Sequence, residues 1–188
     1  RALRRGALTA RGAHPPDPIL FGWDLTPGIV SVWADRDGQV RVWRREGDRV
    51  LLERDRFRPW ILARHLEDLQ HLGAGLAAEA SPEARHAAVR YRVLEGPDPA
   101  YRYLLSAARW RTLERAVVDG AAGRQERAVG GLRDLADYLR VGPVEQYLML
   151  SGRACFRGLV YEDLHRLQVD LETTSLDPGQ GRIFMAAV

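Results

Sequence analysis

The feature that most constrains this chain is a set of short β-type runs separated by tight-turn signals. Three such runs occur in its first third, at residues 29–33, 40–43 and 50–52. The first is rich in β-branched residues, and the second alternates apolar and polar side chains with the period of a strand. Turns containing Asp and Gly separate the runs. We therefore predict an antiparallel three-stranded meander, with Trp33 and Trp43 as aromatic side chains of its core.

Further strands and helices complete the predicted first domain. Additional β-type runs occur at residues 58–62, 89–93 and 101–105. Helical stretches are predicted at residues 107–119, ended by Gly120, at 125–140, and at 144–150, with Pro143 in the first turn and Gly152 as the stop. Residues 66–84 are predicted to be a loop with a short helix. This order predicts an α+β domain over residues 19–158, preceded by a loose arm over residues 1–18.

Composition excludes several classes of protein. All 28 basic residues are Arg, and the formal net charge of +3 excludes a strongly cationic nucleic-acid coat while permitting a local basic groove. The single cysteine, Cys155, excludes an internal disulfide framework and favours a reducing cytoplasm. The five His residues show no metal-ligand spacing. No apolar run approaches the roughly 20 residues that span a bilayer, so we expect no membrane association.

A second unit is predicted to begin near residue 159 and to contain a β-hairpin. Residues 167–172 and 183–188 are its strands, and residues 173–179 are its turn. Asp170 and Glu172 stand at positions i and i+2 of the first strand, so both project from one face.

Two carboxylates placed in this way can bind divalent cations. Mg²⁺ prefers oxygen ligands and takes one or two carboxylates together with substrate phosphate. Two such ions can activate a water and stabilise the leaving oxygen in phosphodiester cleavage. The acid pair alone has a simpler interpretation, which is a strand with two solvated acids. The Thr-Thr-Ser turn and the apolar second strand favour the metal site, because small hydroxyls and turn amides suit contact with a sugar or phosphate.

Three segments resemble known enzymes. VDLETTSLDP (residues 169–178) resembles the first exonuclease motif of the DnaQ-like, ribonuclease H-fold 3′–5′ exonucleases. RPWILA (residues 58–63) resembles the Arg-Pro-aromatic segment in the N-terminal domain of family B DNA polymerases. PVEQYLMLSGRACFRGL (residues 143–159) resembles the helix, glycine turn and link that lead into the exonuclease strand of that family. In this order the segments are similar to a bacterial family B polymerase of the replicative elongation-subunit type.

The resemblance implies a domain organisation and a set of partners. Residues 19–158 would be the polymerase N-terminal domain, which helps to line the template-strand path. Residues 159–188 would be the first β-hairpin of a ribonuclease H-like α/β exonuclease domain. The partners would be DNA, through the primer 3′ end and the template strand, and dNTPs in the polymerase part. The implied location is the bacterial cytoplasm, at the nucleoid.

The resemblance also implies roles for individual residues. Asp170 would bind both of two Mg²⁺ or Mn²⁺ ions, and Glu172 would bind one of them and help to position the attacking water. Thr173 and Thr174 would lie beside the terminal nucleotide, with Leu176 as a packing wedge. The family's later exonuclease acids and its polymerase palm would follow residue 188, so we expect this chain to be a piece of a longer protein and inert as a nuclease by itself.

Two other interpretations remain open. A stand-alone DnaQ-like 3′–5′ nuclease with an unrelated upstream domain explains residues 169–178 equally well, but it explains residues 58–63 and 143–159 less well. A non-catalytic nucleic-acid-binding module would make Asp170 and Glu172 ordinary surface acids.

Overall fold

The computed structural model of the chain describes residues 22–96, 100–163, 168–175, 177 and 179–187. The chain divides into two compact units, Arg1–Arg157 and Gly158–Val188. The described residues form antiparallel and mixed sheets with few helices, which confirms the predicted α+β class. The predicted arm over residues 1–18 lies outside them. Within the described ranges, no helix combines the length and the apolar character that crossing a membrane requires.

The predicted meander is present as a three-stranded antiparallel sheet. Its strands, hydrogen-bonded in the order β1-β2-β3, are β1 Ile29–Ala34, β2 Gln39–Glu46 and β3 Arg49–Arg56. Val40 and Val42 face the buried side, in a core cluster with Tyr147. The turn between β1 and β2 contains Gly38 with φ of 81°, and a Cβ at this position would clash with the Phe57 carbonyl oxygen. Only glycine fits the turn, for both reasons.

The two tryptophans of this sheet lie on its solvent side, so the prediction that they belong to the core is wrong. Trp33 is 44% exposed, and Trp43 is half-buried. Because side chains alternate along a strand, the burial of Val40 and Val42 directs Trp43 to the opposite face.

A second, five-stranded sheet forms the larger part of the first unit. Its strands are β4 Trp60–Ala63, β5 Leu76–Ala78, β6 Val89–Val93, β7 Tyr103–Ala107 and β8 Tyr138–Leu139, in the order β5-β6-β7-β4-β8. β5 runs parallel to β6, and the other neighbouring pairs are antiparallel. The strands predicted from residues 58 and 101 are present, each beginning two residues later. One face of this sheet packs on the longer helix through Ile61, Leu105 and Leu113.

The two α-helices are α1 Trp110–Gln125 and α2 Pro143–Ser151. The prediction for α1 is wrong at both ends. The helix begins where the Trp110 N–H donates to Asp37 Oδ1 at 3.1 Å, and it ends before Glu126, which has a left-handed φ of 50°. Gly120 lies inside α1 and does not end it. A Cβ at this position would overlap the Asp68 carbonyl oxygen, so glycine is needed where the helix packs closely against that backbone. The prediction for α2 is confirmed, with Gly152 as its left-handed cap at φ of 68°.

Two other helical predictions need correction. Residues 125–140 contain the 3₁₀ helix Leu132–Asp134 and strand β8 in place of an α-helix. Four apolar residues are spaced to share one face of the predicted helix, but only Leu132 and Leu135 are buried, whereas Ala128 and Leu139 are exposed. A tight turn, not a helix, brings Leu132 and Leu135 to the core. Residues 66–84 contain two 3₁₀ helices, Glu67–Gly75 and Pro82–Arg85, on either side of β5, which sequence analysis missed.

Candidate functional site

The second unit contains the predicted β-hairpin. β9 Asp170–Thr173 pairs antiparallel with β10 Ile183–Ala187. The register places Asp170 opposite Ala187 and Glu172 opposite Met185. β9 differs from the predicted range of 167–172, because residues 168 and 169 are not part of the strand and Thr173 is. Residues 167 and 188 lie outside the described residues.

Asp170 and Glu172 are brought to one face of this hairpin. They stand two residues apart on β9, so their Cα atoms are about 6.5–7 Å apart and their side chains project in the same direction. Both residues are exposed. Leu171 lies between them and projects from the opposite face, where it is 48% exposed. The two carboxylates are therefore available to one ligand that approaches from solvent.

The hydroxyl groups of the turn close the hairpin. Thr173 Oγ1 donates to the Ser175 carbonyl at 2.9 Å, and Thr174 Oγ1 accepts from the Arg182 N–H at 3.0 Å. The Thr174 N–H in turn donates to the Arg182 carbonyl at 3.1 Å. Thr173 and Thr174, the two residues predicted to lie beside the terminal nucleotide, thus form hydrogen bonds with the backbone of the turn that follows the acids. Leu176, the predicted packing wedge, lies outside the described residues.

The carboxylate pair fits the oxygen chemistry of Mg²⁺ or Mn²⁺, but it supplies only part of a two-ion site. Among the described residues, no group of three or more His, Cys, Asp or Glu side chains is placed to hold a metal ion. A complete site would need further oxygen ligands in addition to Asp170 and Glu172.

The hairpin also leaves large apolar side chains uncovered. Ile183, Phe184 and Met185 are 62%, 64% and 54% exposed. A two-stranded hairpin is marginally stable by itself in water, and three or more strands or a packed helix are needed for independent stability. These side chains therefore offer the surface that such a further layer would cover.

In the first unit, residues 58–63 and residues 143–159 contact each other directly. The Trp60 N–H donates to Gln146 Oε1 at 2.9 Å, across 86 residues of sequence. The Trp60 indole N–H also donates to the Gln146 carbonyl at 3.4 Å, and Gln146 Nε2 donates to the Val141 carbonyl at 2.8 Å. Trp60 and Gln146 are each only 2% exposed. β4 and α2 are thus joined through a buried amide that both accepts and donates a hydrogen bond.

One further surface was not predicted from the sequence. The solvent face of the three-stranded sheet, here called the Arg–Trp face, is defined by Trp33, Arg41, Trp43, Arg45, Arg54 and Arg56. The alternation of residues 40–43 was the signal that could have found it, because it already assigned Arg41 and Trp43 to the same side.

No family model matches the chain, and no curated protein or solved structure matches it.

Proposed function

We propose that this chain is the N-terminal part of a family B DNA-directed DNA polymerase that proofreads with a 3′–5′ exonuclease. One observation carries the proposal. Asp170 and Glu172 share one exposed face of the first strand of an antiparallel hairpin, directly before a turn closed by threonine hydroxyls. Two carboxylates on one face can contribute ligands to divalent ions, and such ions can activate a water and stabilise the leaving oxygen in phosphodiester hydrolysis.

Asp170 and Glu172 would hold the metal ions of the proofreading site. Bound Mg²⁺ or Mn²⁺ would supply an activated water and stabilisation of the leaving oxygen. The chain's own contribution is geometric. β9 keeps both carboxylates on one side, and Thr173 and Thr174 hold the turn in place beside them.

The contact between Trp60 and Gln146 gives independent support. RPWILA and PVEQYLMLSGRACFRGL resemble polymerase sequence separately, and they are far apart along the chain. Trp60 of the first segment and Gln146 of the second nevertheless share a buried hydrogen bond of 2.9 Å. Two segments that resemble one domain and pack as one domain favour a shared origin over two chance similarities.

A second candidate function is a non-catalytic nucleic-acid-binding module. The observation that favours it is the exposure of both acids together with the lack of a third metal ligand among the described residues. In this case the first unit would supply the binding surface, and Asp170 and Glu172 would be solvated acids.

The test uses the full product of the gene, a primer–template with a labelled 5′ end, and Mg²⁺. We expect primer extension with dNTPs and 3′–5′ degradation without them. Asp170→Ala and Glu172→Ala should each lower degradation by about two orders of magnitude or more, because a lost metal ligand removes several kcal/mol of transition-state stabilisation. Extension should persist. Glu162→Ala, an exposed acid of the same unit, is the matched control and should degrade like wild type.

Each contrary result overturns the proposal in a different way. Degradation without extension would identify a stand-alone nuclease. DNA binding without either activity would identify a binding module. Equal degradation by wild type, Asp170→Ala and Glu172→Ala would show that the nuclease active site lies outside this hairpin.

A further inference from the structure

The Arg–Trp face interleaves cationic and aromatic side chains. In the register of the sheet, Trp33 lies beside Arg41, and Arg41 lies beside Arg54. In the next row on the same face, Trp43 lies beside Leu52. Neighbouring strands are about 4.7–4.9 Å apart, so a guanidinium group and an indole ring are adjacent both along and across the sheet.

All three acids of this sheet belong to its other face. Glu46 and Glu53 accept from Arg44 there, at 2.5 and 2.6 Å. Asp55 accepts a hydrogen bond from the Tyr147 hydroxyl at 2.9 Å. Arg41, Arg54 and Arg56 therefore project from the face opposite to the sheet's own carboxylates.

Three of the four arginines of the Arg–Trp face have no internal counter-ion in the described part of the chain. Arg41, Arg54 and Arg56 are exposed, and none forms an ion pair with another described residue. The fourth, Arg45, donates from Nε to the Gly47 carbonyl at 2.9 Å. A face with several unneutralised guanidinium groups attracts anions over distances close to the Debye length.

The aromatic side chains distinguish this face from a simple anion-binding surface. Trp33 is 44% exposed, and the Arg41 guanidinium carbon lies 5.1 Å from the centroid of its ring. Val50 and Leu52 extend the apolar area and are 57% and 49% exposed. An exposed indole ring among arginines provides a surface on which a base of a single strand can stack, while the arginines contact the phosphates. A duplex hides its base faces and cannot use the rings in this way.

We propose that the Arg–Trp face binds single-stranded nucleic acid, with base stacking on Trp33 and phosphate contacts from Arg41 and Arg54. The inference does not depend on Asp170 or Glu172. It holds whether the second unit is an exonuclease or a surface hairpin, so its failure can be told apart from that of the proposed function.

The test measures binding of fluorescein-labelled oligothymidylate to the 188-residue chain by anisotropy over a series of salt concentrations. We expect the double variant Arg41→Ala with Arg54→Ala to bind more weakly. Its slope of log K against log salt should be shallower by about 1.4, since each phosphate contact on a single strand contributes about 0.7. Trp33→Ala should weaken binding by about fivefold to a hundredfold, and Trp33→Phe by less, because a smaller ring still stacks.

The control is the double variant Arg111→Ala with Arg133→Ala, which removes the same charge from exposed positions outside this sheet. It should bind like wild type. Melting curves of all variants should confirm that each is folded at the assay temperature, because substitutions at exposed positions usually change stability little.

Three results would overturn the inference. The Arg41/Arg54 variant and the Arg111/Arg133 control could bind equally, which would make the attraction a matter of net charge. Inorganic polyphosphate could compete as well as the oligonucleotide while Trp33→Ala binds like wild type, which would leave an anion surface without base stacking. A duplex could bind more tightly than the single strand, which would assign the face to double-stranded DNA.

Discussion

The Tyr138 hydroxyl donates a hydrogen bond of 2.7 Å to Asp68 Oδ2, although 70 residues separate the two in sequence. Arg124 Nε donates to Oδ1 of the same carboxylate at 2.5 Å. Asp68 is only 1% exposed, so both of its oxygens are satisfied by protein groups. One buried carboxylate therefore ties the 3₁₀ helix Glu67–Gly75 to α1 and to β8.

Asp68→Ala should destabilise the first unit by about 3 kcal/mol, because removing one partner of a buried ion pair leaves the other groups unpaired. The measurement is the free energy of unfolding from urea denaturation. Asp119→Ala is the control, since Asp119 forms an exposed i,i+4 pair with Arg115 on the same helix and should change stability little. Equal effects of the two substitutions would show that the Asp68 network does not stabilise the fold.

The same carboxylate should give the fold an acid-sensitive component. Burial alone would raise the pKa of Asp68, but the hydrogen bonds from Arg124 and Tyr138 outweigh burial and hold this pKa below its usual value. A carboxyl with a lowered folded-state pKa stabilises the fold above its unfolded pKa of about 3.9 and loses this effect as pH falls through the folded value. The stability advantage of wild type over Asp68→Asn should therefore shrink below about pH 4. Urea denaturation over a pH series measures it, and a constant difference would contradict the assignment.

The sequence predicted correctly those strands and helices whose buried residues repeat with the period of the element itself. The meander and α2 are present because alternation and glycine caps act within a few residues. β5 and the segment of residues 125–140 were missed because their conformation depends on distant partners. The same distinction applies to the candidate site. The hairpin of Asp170 and Glu172 was predicted from alternation, whereas the contact of Trp60 with Gln146 depends on the tertiary fold.

Gly120 shows how a tertiary contact overrides a helix-stop signal. A Cβ at this position would overlap the Asp68 carbonyl, which is backbone and cannot rotate away. Gly120→Ala should therefore lower the free energy of unfolding by about 2 kcal/mol, since the overlap costs more than the gain in helix propensity. Gly123→Ala is the matched control on α1. It has open space around it and should raise stability by about 0.5–1 kcal/mol in the same urea experiment. A stabilising Gly120→Ala would show that the helix can move away from Asp68.

Gln146→Ala tests the junction between β4 and α2. The substitution leaves the buried Trp60 N–H without its acceptor, and an unsatisfied buried donor costs about 1–3 kcal/mol. Met149→Ala on the same helix removes a side chain that is 56% exposed, and it should have a much smaller effect. Thermal melting of both variants beside wild type measures the difference. If Gln146→Ala and Met149→Ala have the same melting temperature, the hydrogen bond does not stabilise the junction of the two segments.

The carboxylate pair of the hairpin makes a prediction that needs no catalysis. Asp170 and Glu172 project from one face of β9, so the 188-residue chain should bind Mn²⁺ weakly through both. Water-proton relaxation detects the bound ion directly. Asp170→Ala and Glu172→Ala should each reduce the relaxation enhancement, because one remaining carboxylate holds the ion less well than two. Glu162→Ala removes an exposed acid of the same unit and should leave the enhancement unchanged. Equal enhancement in all four proteins would mean that the two acids do not bind the ion together. The hairpin would then not be part of a metal site.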